Sequence, residues 1–208
     1  CELEKSRHKD LQDRWGNYLD RQNALHGDAF RVMFSIRKGG ASLLFLNPPY
    51  DTDKVHGRLE EKFLDRFTAT LGAGGVLVFI VPHYALAASA ETLALNYRNL
   101  RCRRFAGADY DIYKQVVLFA ERVEGEDFFD PDPAIVAQVQ AWAADAAAVP
   151  EFGSDGSVYD VPLRRAHTDA VSWEMRKVDA VGLLNKFQPW QETTRARGLS
   201  PVARVLPD

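Results

Sequence analysis

One stretch of the chain, residues 43–50, limits the choice of fold more than any other. Its four apolar residues, Leu-Leu-Phe-Leu, are typical of a buried strand. Asn47, Pro48, Pro49 and Tyr50 follow directly, and the prolines end the strand because proline has no N–H to donate to a sheet. In open α/β sheets, ligands bind beyond the carboxyl ends of parallel strands. The stretch therefore predicts a sheet and a ligand site at its edge.

The four residues 47–50 suit the binding of a planar amino group. An exocyclic amine conjugated to a ring or a carbonyl is a poor nucleophile, because its lone pair is delocalised. The side-chain oxygen of Asn47 and the carbonyl of Pro48 can accept its two N–H groups and orient that lone pair. Tyr50 can stack on a planar ring, which contributes about 1–3 kcal/mol per base in single-strand binding sites. Catalysis by these residues would rest on orientation and electrostatics. The simpler interpretation of residues 47–50 is a turn that ends the strand and has no catalytic role.

Apolar and polar residues alternate in blocks that predict strands and helices in turn. The predicted strands are 42–46, 75–81, 100–106 and 115–121, with a shorter one in 23–30. The predicted helices are 6–21, 59–71, 85–97 and 133–148, with a single helical turn in 31–36. Residues 72–75 are predicted as a turn and 107–114 as a loop. This order predicts a mostly parallel α/β sheet with an antiparallel pair at its edge.

The composition predicts one catalytic core and a smaller extension. The chain has 208 residues, 46% of them apolar, and a net charge of −3. Between Glu121 and Asp160 Arg122 is the only base, which indicates a division at residue 121 or a solvated acidic surface. We predict a core over 1–121, and an acidic helical excursion with a basic and aromatic C-terminal segment over 122–208. Two cysteines without metal-ligand spacing and no membrane-length apolar run predict a cytoplasmic protein without metal or membrane.

A strand followed at once by Asn47-Pro48-Pro49-Tyr50 resembles the S-adenosylmethionine-dependent amino-methyltransferases, most of all the adenine-specific DNA methyltransferases. The resemblance covers about residues 1–121. Because this family often has a target-recognition region after the catalytic domain, the resemblance also implies that role for the basic and aromatic C-terminal segment. It implies a Rossmann-like class I methyltransferase sheet, S-adenosylmethionine as cofactor and an adenine of DNA as target. It also implies that Asn47 and Pro48 orient the target amine, that Asn47 contacts the cofactor and that Tyr50 stacks on the base.

Other residues match the same family one by one. Glu2 matches the acid that binds the cofactor ribose, with Glu4 as second choice, and Asp28 matches the aspartate that receives the amino group of the cofactor adenine. Tyr110 and Tyr113 lie where the family carries a second ring against the target base, and we favour Tyr113. Without the resemblance these residues read as exposed acids, a Gly-Asp turn and two surface tyrosines.

One family feature is not in the sequence given. The Gly-rich loop that holds the methionine end of the cofactor belongs before Glu2, so we expect that the sequence starts inside a domain. A partner segment or a larger assembly would then supply the loop, or this copy would be a binding subunit without activity. Methylation of a protein glutamine amide or of an RNA guanine stays open beside DNA adenine.

Overall fold

The computed structural model describes residues 2–16, 26–34, 41–53, 57–123, 130–153 and 175–177. Two compact units make up the chain: Cys1–Ser35 with Ser172–Asp208, and Ile36–Val171. Each unit is described by itself, and the predicted functional division at residue 121 stays a prediction. Most of the basic and aromatic segment predicted for target recognition lies outside the described residues.

Helices and strands alternate along the described chain. The α-helices are α1 (Lys5–Trp15), α2 (Leu59–Thr68), α3 (Ala90–Asn96), α4 (Gly107–Tyr113) and α5 (Pro133–Ala144). The strands are β1 (Val32–Phe34), β2 (Ala41–Leu46), β3 (Thr52–Asp53), β4 (Gly57–Arg58), β5 (Leu71–Pro82), β6 (Tyr97–Arg104), β7 (Gln115–Arg122) and β8 (Met175–Lys177). Short 3-10 helices occupy Ala29–Arg31, His83–Ser89 and Ala146–Ala148. None of the described helices has the length and apolar character that crossing a membrane requires.

Four strands form the main sheet, in the order β2-β5-β7-β6. Strand β2 is parallel to β5, β7 is antiparallel to β5, and β6 is antiparallel to β7. Three of the four strands therefore point the same way. The predicted α/β class and the antiparallel pair at one edge are confirmed, but only one of the three pairings in this sheet is parallel, so it is partly and not mostly parallel.

The hydrophobic core lies on one face of this sheet. Leu77, Phe79 and Val81 of β5 are fully buried there, and burying one such side chain stabilises a fold by about 1.5–3 kcal/mol. Helix α5 packs against α3 and against the 3-10 helix His83–Ser89. On β2, Leu43 and Phe45 are exposed within the described part of the chain, so the predicted buried strand is buried on one side.

Two local predictions were wrong because long-range pairing decided the outcome. Residues 31–36 were predicted to contain a helical turn, but Val32–Phe34 forms β1, which pairs antiparallel with Met175–Lys177. The partner strand is about 140 residues away in the sequence, so a local pattern cannot reveal it. An extended conformation also suits the β-branched and aromatic residues of this segment.

The predicted turn at 72–75 lies inside strand β5 instead. Between two paired positions β2 advances from Ala41 to Leu43, whereas β5 advances from Leu71 to Val76, so β5 bulges. Gly74 has a φ of +71°, and a Cβ on Gly75 would lie 2.6 Å from the Cδ1 of Leu71. The glycines therefore permit a bulge at the start of the strand.

Two further segments differ from the prediction because of contacts between distant residues. The helix predicted over 85–97 is a 3-10 segment followed by α3, and Tyr97 begins β6, where it pairs with Arg122 of β7. The hydroxyl of Tyr97 lies 2.9 Å from that of Thr68, and burial raises the pKa of Tyr97 to about 12. The predicted loop at 107–114 is helix α4, which ends at Lys114 with a φ of 53°.

A buried ion pair closes the hairpin that follows Tyr50. Strands β3 and β4 pair antiparallel, and the N–H of Leu59 donates to the carbonyl of Asp51 over 3.0 Å. The guanidinium of Arg58 binds Glu60 at 2.6 Å, and Glu60 is completely buried. Arg58 also lies over the ring of Tyr84, 5.2 Å from its centroid. The pair thus ties the hairpin to helix α2.

Removing Arg58 should destabilise the protein strongly, because Glu60 would keep a buried charge without its partner. We expect Arg58→Met to lower the free energy of unfolding by about 3 kcal/mol, measured by urea denaturation. The double variant Arg58→Met/Glu60→Met should regain most of that loss, since two apolar side chains leave no charge buried. A loss below about 1 kcal/mol in the single variant would contradict this role.

Candidate active site

The residues 47–50 leave the sheet at the edge where parallel strands β2 and β5 end. Leu46, the last residue of β2, pairs with Phe79, and Pro82, the last residue of β5, pairs with Gln115. Because β7 is antiparallel to β5, its first residue lies at this same edge. The edge thus holds polar side chains from different parts of the sequence, where α/β sheets bind ligands.

Three side chains at this edge form a hydrogen-bonded chain. The amide nitrogen of Gln115 donates to the hydroxyl of Tyr50 over 2.7 Å, and that hydroxyl donates to the Oδ1 of Asn47 over 2.8 Å. Pro48 is buried, whereas Asn47 is exposed. The structure therefore brings Asn47 and Tyr50 together, with the carboxamide of Asn47 accessible from outside.

The phenol of Tyr50 is held in its protonated form. Its partial burial raises its pKa, and the nearby negative charge of Glu60 raises it too, while the hydrogen bond from Gln115 acts in the opposite direction. A phenol with a raised pKa stays neutral at physiological pH and keeps its proton for donation. Tyr50 can consequently hold the carboxamide of Asn47 in one orientation.

The two tyrosines of α4 have different surroundings. The hydroxyl of Tyr110 lies 3.1 Å from the Nδ1 of His83, and its side chain is only 8% exposed. Arg104 and Lys114 lie over its ring, at 5.7 and 5.2 Å from the centroid. Tyr113 is 57% exposed. Tyr110 thus has a structural position, and Tyr113 is the accessible ring.

The predicted cofactor acids Glu2 and Asp28 lie in the other unit, and Asp28 directly precedes the 3-10 helix Ala29–Arg31. Glu2 forms a parallel bridge with His26, and the N–H of Gly27 donates to its carbonyl over 2.9 Å. An oxygen of the Glu2 side chain lies 3.4 Å from Arg7. The Oδ1 of Asp28 accepts the N–H of Phe30 over 2.9 Å.

Glu4, the second choice for the ribose acid, caps a helix. Its carboxylate accepts the N–H groups of Ser6 and Arg7 at the start of α1, and the hydroxyl of Ser6 as well. These hydrogen bonds lower the pKa of Glu4 to about 2. Capping accounts for this residue type at this position, so Glu2 is the better candidate for binding a ligand.

The arginines of β6 already have acidic partners at two positions. Arg98 pairs with Glu121 at 3.4 Å, and Arg104 pairs with Glu151 at 3.1 Å. Exposed pairs of this kind contribute little to stability. A phosphate would have to compete with these carboxylates, so β6 gives little support to nucleic-acid binding.

Sequence reasoning missed Gln115 altogether. Its residue type carries no motif, and it lies 65 positions beyond Tyr50. One signal was available, because Gln115 opens a strand predicted to pair antiparallel at the edge of the sheet. Such a strand starts where its parallel neighbours end, and so beside residues 47–50.

Comparison with known proteins gives a family but no characterised relative. The model of a family described as "Uncharacterised methyltransferase family (DUF6094)" matches residues 2–162. Searches of curated proteins and of solved structures returned no match. The matched region includes every residue that the sequence predicted for the site, from Glu2 to Tyr113. The chain belongs to this methyltransferase family.

Proposed function

We propose that the protein transfers a methyl group from S-adenosylmethionine to the exocyclic amine of an adenine in DNA. Membership of a methyltransferase family supports methyl transfer. One observation supports an amine as the methyl acceptor. Residues 47–50 lie at the carboxyl end of β2, and Asn47 is exposed there. An amide oxygen and a backbone carbonyl suit the two N–H groups of such an amine.

In this proposal Asn47 and Pro48 orient the amine. Its two N–H groups donate to the Oδ1 of Asn47 and to the carbonyl of Pro48, which draws the lone pair out of conjugation with the ring. The ring of Tyr50 stacks on the base. These residues hold no covalent intermediate, and their contribution is orientation together with electrostatic stabilisation.

The carboxylates of Glu2 and Asp28 are acceptors that fit the hydroxyl and amino groups of S-adenosylmethionine. Carboxylates accept hydrogen bonds, Glu2 would take the ribose hydroxyls, and Asp28 would take the adenine amino group. The bridge between Glu2 and His26 brings the two parts of the chain side by side, and Asp28 lies two residues after His26. When bound, S-adenosylmethionine would supply a methyl group on a positively charged sulfur.

An adenine of DNA is the target that the aromatic residues favour. A base taken out of a duplex loses stacking that costs a few kcal/mol, and aromatic side chains in the enzyme replace it. Tyr50 and the exposed Tyr113 are the candidate rings. A protein glutamine amide or a guanine of RNA also presents a conjugated amine, so the substrate test has to include all three.

Replacing Asn47 should nearly abolish methyl transfer and change cofactor affinity far less, because Glu2 and Asp28 are proposed to supply the main cofactor contacts. We expect Asn47→Ala to lower kcat at least about a hundredfold, the usual cost of one oriented transition-state contact. Transfer of a labelled methyl group to unmethylated DNA, to RNA and to protein measures this, and calorimetry measures cofactor affinity. Gln140→Ala, on the exposed side of α5, is the matched control.

Two results would decide against the proposal. Full activity in Asn47→Ala would mean that the active site lies elsewhere. No cofactor binding by the protein, even with an added N-terminal segment, would favour a binding subunit without activity.

Tyr113 should contribute to target binding. We expect Tyr113→Ala to raise the KM for DNA about tenfold, because one stacked base contributes about 1–3 kcal/mol. The free energy of unfolding should not change, since the side chain is exposed. Ile112→Ala removes an exposed apolar side chain from the same helix and should leave the KM unchanged. An equal effect in both variants would show that the tyrosine ring has no particular role.

Glu2 should matter for cofactor affinity. We expect Glu2→Gln to weaken S-adenosylmethionine binding about tenfold or more in calorimetry, because a charged hydrogen-bond acceptor is lost. Asp10→Asn removes one exposed negative charge from helix α1 of the same unit and should have no effect. Unchanged affinity in Glu2→Gln would remove Glu2 from the site.

A further inference from the structure

We propose that Gln115 is a positioning residue of the acceptor site, acting on Asn47 through the phenol of Tyr50. The inference rests on the proposed function, since it assigns a role within that site. It names a residue that neither the motif at 47–50 nor the family match identifies.

The donors and acceptors of the chain fix its direction. The nitrogen of the Gln115 amide can only donate, so the oxygen of Tyr50 accepts, over 2.7 Å. The phenol has one proton, and it donates this proton to the Oδ1 of Asn47, over 2.8 Å. Gln115 thereby determines where the hydroxyl proton of Tyr50 points.

Gln115 is well placed for this task because the sheet holds its backbone. Its Cα is paired with that of Pro82 at the end of β5, and its carbonyl accepts the N–H of Phe105 over 3.3 Å. The preceding carbonyl, of Lys114, accepts the N–H of His83 over 2.9 Å. A side chain anchored on a sheet positions a ligand more precisely than one on a free loop.

The orientation of Asn47 depends on this chain. A carbonyl oxygen has two lone pairs, so Asn47 can accept the Tyr50 hydroxyl with one and an amine N–H with the other. The same contacts restrict the ring of Tyr50, which would stack on the base. Without Gln115, the ring of Tyr50 and the Oδ1 of Asn47 are less restricted. The amine is then held less often in the orientation that methyl transfer needs.

The test compares Gln115→Leu and Gln115→Glu in the complete protein, with DNA and S-adenosylmethionine as substrates. Gln115→Leu should lower kcat about three- to tenfold, which corresponds to one hydrogen bond, and should change the KM for DNA less than twofold. In Gln115→Glu a carboxylate accepts the phenol proton and takes it away from Asn47, so kcat should fall further. Gln138→Leu, on the exposed side of α5, is the matched control.

A double variant separates positioning from a general loss of structure. In Tyr50→Phe the phenol is gone, so adding Gln115→Leu should have no further effect on kcat. Non-additivity of this kind is expected only for residues that act through each other. Additive losses in the double variant, or an unchanged kcat in Gln115→Leu, would overturn the inference.

A spectroscopic titration tests the contact without any activity. In protein labelled with 13C at the tyrosine Cζ, the Tyr50 signal is the one of seven that Tyr50→Phe removes. The hydrogen bond from Gln115 lowers the pKa of Tyr50, whereas burial and the charge of Glu60 raise it. Gln115→Leu should therefore raise this pKa, and Gln138→Leu should not.

The two readouts keep the inference apart from the proposed function. A wild-type protein that methylates none of DNA, RNA and protein would contradict the proposed function. An unchanged pKa of Tyr50 in Gln115→Leu would overturn the inference whatever the activity. A raised pKa together with the non-additive fall in kcat would support it.

Discussion

The parallel pairing of β2 with β5 is the interaction on which the site depends. It brings the carboxyl ends of both strands to one edge of the sheet, and Asn47 follows β2 there. Strand β5 is the centre of this arrangement, because it pairs with β2 on one side and with β7 on the other. Its apolar side chains form much of the core. The residues of the site therefore lie on the two strands that flank the deeply buried β5.

Hydrogen bonds and one ion pair further restrict the loop 47–50, which the sheet places at its edge. The hydrogen bond from the N–H of Leu59 to the carbonyl of Asp51 closes the hairpin after Tyr50 at the start of α2, next to the ion pair of Arg58 with the buried Glu60. The contact from Gln115 holds Tyr50 from the opposite strand. Both sides of the loop 47–50 are thus tied to rigid elements, which is what a site that acts by orientation needs.

Much of the fold could be predicted from local patterns, since the strands β2, β5 and β7 and the helices α2 and α5 follow apolar periodicity. The failures have long-range causes. Val32–Phe34 is a strand because of a distant partner, and Tyr97 leaves its helix because it pairs with Arg122 of β7. The glycines before Val76 looked like a turn because a bulge has no signature of its own in the sequence.

The chemistry offered at 47–50 can be read from the local sequence, because an amide, two prolines and a ring directly after an apolar strand are a local arrangement. The burial of Tyr110 against His83, the exposure of Tyr113 and the helix cap at Glu4 depend on the folded chain. Only the tertiary structure showed that Gln115 meets Tyr50. The physical reason is that contacts between strands depend on pairing order and direction, which residues far apart in the sequence determine together.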